Sequence, residues 1–135
     1  AGFRNLSLET LLRARDHGVD PEFIASYRQL GYTLSLDELI SLRDHGVDGE
    51  FIGGMHELGY RTASLELLRS ARNHGVDPEY VAEMADVGFK GTPLPDLIEA
   101  RNHGVDASFV RRVRTRNPKA GLDEIIALRD QGYDR

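Results

Sequence analysis

The chain has no cysteine and no tryptophan, only 2 methionines and 5 prolines, and aromatic residues fill just 7% of its 135 positions. Without thiols, neither a disulfide framework nor a thiolate zinc site can form, and nothing distinguishes an oxidising from a reducing compartment. Long apolar runs are also missing. None exceeds four residues, against roughly 20 for a bilayer-spanning helix, and the amino terminus lacks the charged-then-apolar pattern of a signal peptide. Membrane insertion of this segment is therefore not expected. There is no H-E-x-x-H, no glycine-rich phosphate loop and no Ser-His-Asp set, so neither a cofactor nor catalysis is expected. Positive charge is in deficit as well: a formal net charge of −5 opposes a general affinity for phosphate backbones. The exception is local, because residues 107–121 carry Arg111, Arg112, Arg114, Arg116 and Lys119 and no acid, which leaves −10 on the remainder.

What is present is a repeat. Arg15-Asp16-His17-Gly18-Val19-Asp20-Pro21-Glu22-Phe23 returns with small changes at 43–51, 72–80 and 101–109, and in shortened form at 129–133. Histidines 17, 45, 74 and 103 are spaced by 28, 29 and 29 residues, and a fixed period of this size marks a stacked array. Each period holds two apolar patterns with helical spacing, for example Leu36, Leu39, Ile40 and Arg43, then Phe51, Ile52, Met55 and Leu58.

Capping chemistry sets the boundaries. Ser35-Leu36-Asp37-Glu38 has the form of a capping box that starts a first helix, A. His45-Gly46-Val47 stops it, with glycine in the left-handed conformation and valine packing back. Asp48, like Asp20, Asp77 and Asp106, then caps a second helix, B, and Pro21 and Pro78 follow two of these caps where a missing N–H costs nothing. Helix B stops at Leu58-Gly59-Tyr60 and at the equivalent Leu30-Gly31-Tyr32 and Val87-Gly88-Phe89.

Helices of about ten residues do not persist alone in water, so the pairs are expected to stack. The expected fold is an all-α solenoid of helix–turn–helix repeats spanning 5–32, 33–60, 61–89 and 90–118 with a half repeat over 119–135, giving five A and four B helices in one domain. Gly2-Phe3 matches the Gly31-Tyr32 stop, which suggests a portion of a longer array. The fourth B helix departs most: Arg116, Asn117 and Pro118 replace the Leu-Gly-Tyr stop. Asn117 can still take the left-handed position, while the loss of apolar contacts predicts a less covered helix.

Two recurrent residue types invite a chemical reading. His17, His45, His74 and His103 fall in equivalent places of successive pairs, roughly 10 Å or more apart, whereas zinc holds imidazole nitrogen at about 2.1 Å; no metal site is expected. Their place before Gly18, Gly46, Gly75 and Gly104 suits a helix cap that bonds orphan carbonyls. Arg15, Arg43, Arg72, Arg101 and Arg129 lie seven residues after an apolar position of helix A. They are expected to form a structural ladder, stems on the core and guanidinium groups on carbonyls or on an acid of the next repeat. A row of arginines gripping carboxylates or phosphates is the functional counterpart.

The repeat LSLDELISLRDHGVDGEFIGGMHELGY resembles the two-helix repeats, of the form LIxLRxHGVxPEFIxxLxxxGY, appended to bacterial sensor metallopeptidases of the BlaR group and to related regulatory proteins. The resemblance spans nearly the whole chain. It implies a bacterial source, in a cytoplasmic or an extracytoplasmic position, and a binding or spacer role. In such proteins the catalytic centre lies elsewhere, and no catalytic residue is carried over.

These features predict a protein-interaction or scaffolding module rather than an enzyme. A protein partner should be met by outward residues that differ between repeats: Ser26, Arg28, Gly54, His56 and Glu83, together with Arg111, Arg112, Arg114 and Arg116 of the basic fourth repeat. The rival is nucleic-acid or other polyanion binding through that basic repeat. The helix–Gly–helix turn lacks a second glycine, and phosphate there would meet Asp20 or Asp48, which makes nucleic acid the weaker expectation.

Overall fold

A computed structural model describes residues 7–133 and is all-helical, with nine α-helices and no strand among the described residues. The elements are α1 (Leu8–Asp16), α2 (Pro21–Gln29), α3 (Leu36–Asp44), α4 (Gly49–Glu57), α5 (Leu65–Asn73), α6 (Pro78–Met84), α7 (Leu94–Asn102), α8 (Ala107–Arg116) and α9 (Leu122–Asp130). The odd-numbered helices occupy the segments expected as A and the even-numbered ones those expected as B. Gly2-Phe3 lies outside the described residues.

Local chemistry accounts for nearly every boundary. At Ser35 the capping box is complete: the serine oxygen accepts the Glu38 amide hydrogen, and the Glu38 carboxylate accepts that of Ser35. Those bonds from Ser35 hold the Glu38 carboxyl below its ordinary pKa. The even helices begin at Asp20, Asp48, Asp77 and Asp106, and in each the carboxylate accepts the amide hydrogen three residues on at 2.8 Å.

The odd helices share one way of stopping. In α3, His45 is the cap residue and Gly46 follows at φ +75. Its amide donates to the Arg43 carbonyl at 3.0 Å and the Val47 amide to that of Leu42 at 2.9 Å, the paired bonds of a Schellman stop. The valine that completes the turn is buried in all four copies, at positions 19, 47, 76 and 105.

The fourth even helix differs from expectation twice. Asn117 is not left-handed but extended, at φ −134 and ψ 81. Its amide still closes the helix onto Val113, Pro118 restricts the backbone of the residue before it to the extended side, and the Asn117 side-chain nitrogen donates to Glu124 at 3.0 Å. Nor is α8 poorly covered, because Phe109, Val110 and Val113 are buried as deeply as the core of any other helix. Of its arginines, Arg111, Arg112 and Arg116 are exposed.

All nine helices contribute to a single cluster of buried apolar side chains that runs from Ala14 to Ile126. Neighbouring even helices approach closely through small residues: a Cβ on Gly49 would stand 2.8 Å from Ser26, and one on Gly54 2.9 Å from Pro78.

Gly46→Val should cost roughly 2–3 kcal/mol, because a β-branched residue is forced to positive φ and the Arg72 side chain packed on this glycine is displaced. His45→Ala removes one exposed hydrogen bond and should cost about 1 kcal/mol. Urea melts of the two variants check this, and equal losses would show that the left-handed stop is not the critical element.

Candidate functional site

The recurrent polar residues converge on the joints between helix pairs. His17 sits in the closing turn of α1, and its Nδ1 lies 2.8 Å from the Asp44 carboxylate at the end of α3. The same link joins His45 to Asn73 at 2.9 Å, His74 to Asn102 at 2.9 Å and His103 to Asp130 at 2.7 Å. The imidazole thus meets a side chain of the next pair rather than the orphan carbonyls of its own helix. In each joint Nδ1 faces a side-chain oxygen, so Nδ1–H is the donor, to a carboxylate in two joints and to an asparagine in the other two.

Beside each histidine stands an arginine of the following odd helix. The Arg43 guanidinium lies over the Phe23 ring with its carbon 5.2 Å from the centroid; Arg72 covers Phe51 at 5.6 Å, Arg101 covers Tyr80 at 4.9 Å and Arg129 covers Phe109 at 5.2 Å. Such contacts contribute about 0.5–1 kcal/mol each at exposed sites. The same side chains lie against the stop glycines, so that a Cβ on Gly18 would be 3.0 Å from Arg43 Nε and one on Gly104 3.2 Å from Arg129 Nε. The ladder therefore points back to an aromatic face and a glycine instead of to carbonyls or acids, and its members are exposed at the rim of the joint. Arg15, on α1, is likewise exposed. The shallow groove beside Arg72 is lined by Asp48, Glu50, Asp77 and Glu79, and four carboxylates around one guanidinium oppose the entry of an anion.

Tyrosines complete the joints. Tyr27 Oη donates to the Val47 carbonyl at 2.5 Å and Tyr80 Oη to the equivalent Val105 carbonyl at 2.6 Å, each reaching into the closing turn of the next odd helix. Burial raises the Tyr27 phenol well above its ordinary pKa, assisted by Asp48 and Tyr32. Burial pushes Tyr80 up to about 12, with Arg101 opposing the rise and Asp106 adding to it.

Several residues expected to face outward are part of the joints. His56 is buried, with its ring beside Tyr32 and Nε2 3.3 Å from the Tyr32 hydroxyl. Ser26 and Gly54 lie between even helices. Arg114 is half-buried over Phe89, 4.6 Å from its centroid, and donates to the Val87 carbonyl at 2.8 Å and to the Ala120 carbonyl through both Nη2 and Nε at 2.8 and 3.2 Å. It ties the stop of one even helix to the loop before α9 and is withdrawn from the set available to a partner. His56 and Arg114 both lie eight residues after an aspartate cap, and each packs on the aromatic that closes the preceding even helix. Arg28 stands at the same offset from Asp20 and is exposed, so the offset alone does not mark an inward position. Arg28, Glu83, Arg111, Arg112 and Arg116 remain exposed.

Among the described residues, no group of three or more His, Asp or Glu is placed to hold a metal ion, and no helix is long and apolar enough to cross a membrane. No family model, curated protein or solved structure matches the chain.

Arg114→Ala should lower stability by about 2 kcal/mol, since it leaves two carbonyls without their charged donor. Arg111→Ala should change it by less than about 0.5 kcal/mol. Thermal melts distinguish the two, and equal effects would restore Arg114 to the exposed set.

The raised Tyr80 value predicts an alkaline limit. A phenol whose folded pKa exceeds the ordinary 10 contributes stability that is complete below that value and is lost as pH climbs towards 12. Urea unfolding across this interval should show stability falling with pH, and falling less steeply in Tyr80→Phe; identical slopes would mean that the phenol is not held protonated by the fold.

Proposed function

We propose that the chain is a protein-interaction or scaffolding module without catalytic activity of its own, built as an α-solenoid of helix pairs with the 28–29-residue period of its histidines. One observation carries this reading: the polar residues that recur are engaged in joints, while residues that differ between repeats form an exposed ridge of arginines on α8. Arg111, Arg112 and Arg116 stand exposed along α8. The positions equivalent to Arg111 are Ala25, Gly53 and Ala82, so this ridge is specific to the fourth repeat. Its complement is an acidic protein surface, with Arg supplying planar, bidentate donors to carboxylates. The likeness of the repeat to those appended to BlaR-group metallopeptidases supports the same reading, a bacterial binding or spacer module whose partner chemistry lies in other domains.

The arginine ridge with neighbouring Lys119 also favours a second reading, binding of a nucleic acid or another polyanion. Against it, Arg111 borders Glu83, Asp86 and Asp106, which neutralise the ridge on the side nearest α6.

Affinity capture with the wild type and an Arg111→Ser/Arg112→Ser/Arg116→Ser variant, each with and without nuclease, tests the choice. Discrete proteins that survive nuclease and are lost with the variant are the expected result. Nucleic acid that is lost with the variant would overturn it in favour of the polyanion reading.

A further inference from the structure

We propose that the open face of α1 is a docking surface for a further helix pair of the same repeat type, added in series. This rests on the stacking reading above and extends it to a specific surface and occupant.

Leu8, Leu11 and Leu12 are 73%, 49% and 39% exposed, whereas their counterparts Leu36, Leu39 and Ile40 on α3 are 7%, 2% and 6% exposed. At the Leu11 position the later odd helices have Leu68, Leu97 and Ile125, each fully buried. Scattered apolar residues on a surface are ordinary, but three on one helix, at positions buried elsewhere in the same chain, make an uncovered interface.

The rest of the chain shows what such a face receives. Each internal joint brings to the odd helix a closing histidine, a stop glycine and an aromatic ring three residues after an aspartate cap. Opposite them the odd helix supplies an arginine and, one residue later, an acid or amide, as in Arg43-Asp44 and Arg72-Asn73. Helix α1 carries the same receiving pair, Arg15-Asp16, both exposed. Pro21 is exposed too, although its counterpart Pro78 packs against Gly54 of the pair before it. The occupant is thus specified by chemistry: its histidine donates to Asp16, its glycine and aromatic ring receive Arg15, and a small residue meets Pro21. Symmetric pairing of two α1 faces would bury the leucines but would leave both Arg15 and Asp16 without the turn that receives them.

The absence of cysteine makes thiol labelling a clean test. Leu11→Cys is placed in the chain as it stands and in a chain where a copy of residues 33–60 is fused directly ahead of Arg4, which keeps the repeat register and offers a glycine, the copy of Gly54, to Pro21. Leu39→Cys in the unextended chain, with Leu97→Cys as a second variant should the first fail to fold, reports on stacking itself. The expected result is slow labelling at position 39 or 97, fast labelling at 11 in the unextended chain, and labelling at 11 slowed roughly tenfold or more in the extended one. Equal rates at 11 in both chains, with position 39 or 97 protected, would overturn the docking surface while leaving the stacking intact. Fast labelling at the interior positions in folded protein would overturn the stacking reading. Protection at position 11 in the unextended chain that grows with protein concentration would overturn the occupant in favour of a second copy.

Discussion

Helices of seven to ten residues do not hold themselves in water, because the cost of nucleation is spread over too few hydrogen bonds. Every helix here must therefore be held by its neighbours, and the contact that does so most regularly is the arginine of one odd helix resting on the stop glycine and aromatic ring of the pair before it. Only a residue without a Cβ lets the side chain come so close, and only a left-handed turn places the backbone to receive it. One glycine thus ends a helix and seats the next. Substitution there disturbs both elements, whereas loss of the adjacent histidine removes a single exposed hydrogen bond.

The local part of this arrangement was legible in the sequence. Serine and aspartate caps, the glycine stops and the apolar spacing act within four or five residues, and the structure follows them at almost every boundary. What could not be read was where long side chains go, because their partners lie 20 to 28 residues away. The histidines were expected on nearby carbonyls and are found on the next pair. The arginines were expected on carbonyls or an acid of the next repeat and are found over an aromatic ring of the pair before. Asn117 shows a different limit: one local rule allowed a left-handed stop, while another, the restriction that Pro118 places on the residue before it, opposed that conformation.

The positions that vary between repeats divide into two groups by the same logic. One group fits neighbouring pairs to each other: Ser26 with Gly49, Gly54 with Pro78, and His56 or Arg114 with the ring that closes the preceding even helix. A larger residue on one side is answered by a smaller or flatter one on the other, so these joints differ in detail although their frame is shared. The other group, with Arg111, Arg112 and Arg116, touches no neighbouring pair through an observed hydrogen bond and is free to vary with a partner. Variation between repeats alone therefore does not mark a binding surface. It does so where the variant side chain is also exposed.

In the proposed solenoid, the free energy of each pair depends on whether its faces are covered. A joint contributes several terms, a hydrogen bond, a cation–π contact of about 0.5–1 kcal/mol and the burial of apolar side chains of the odd helix at roughly 1.5–3 kcal/mol for each one fully buried. The last term dominates, and it is the one that α1 forgoes where Leu8, Leu11 and Leu12 meet solvent. The polar terms are too weak to hold a pair alone, but they are directional: a histidine must find an acid or amide, and an arginine must find a glycine turn. Apolar burial therefore drives the stacking, and the recurrent polar residues select what may be stacked. A partner that offers only apolar surface could cover α1, but it would leave Arg15 and Asp16 without the turn that receives their counterparts inside the chain.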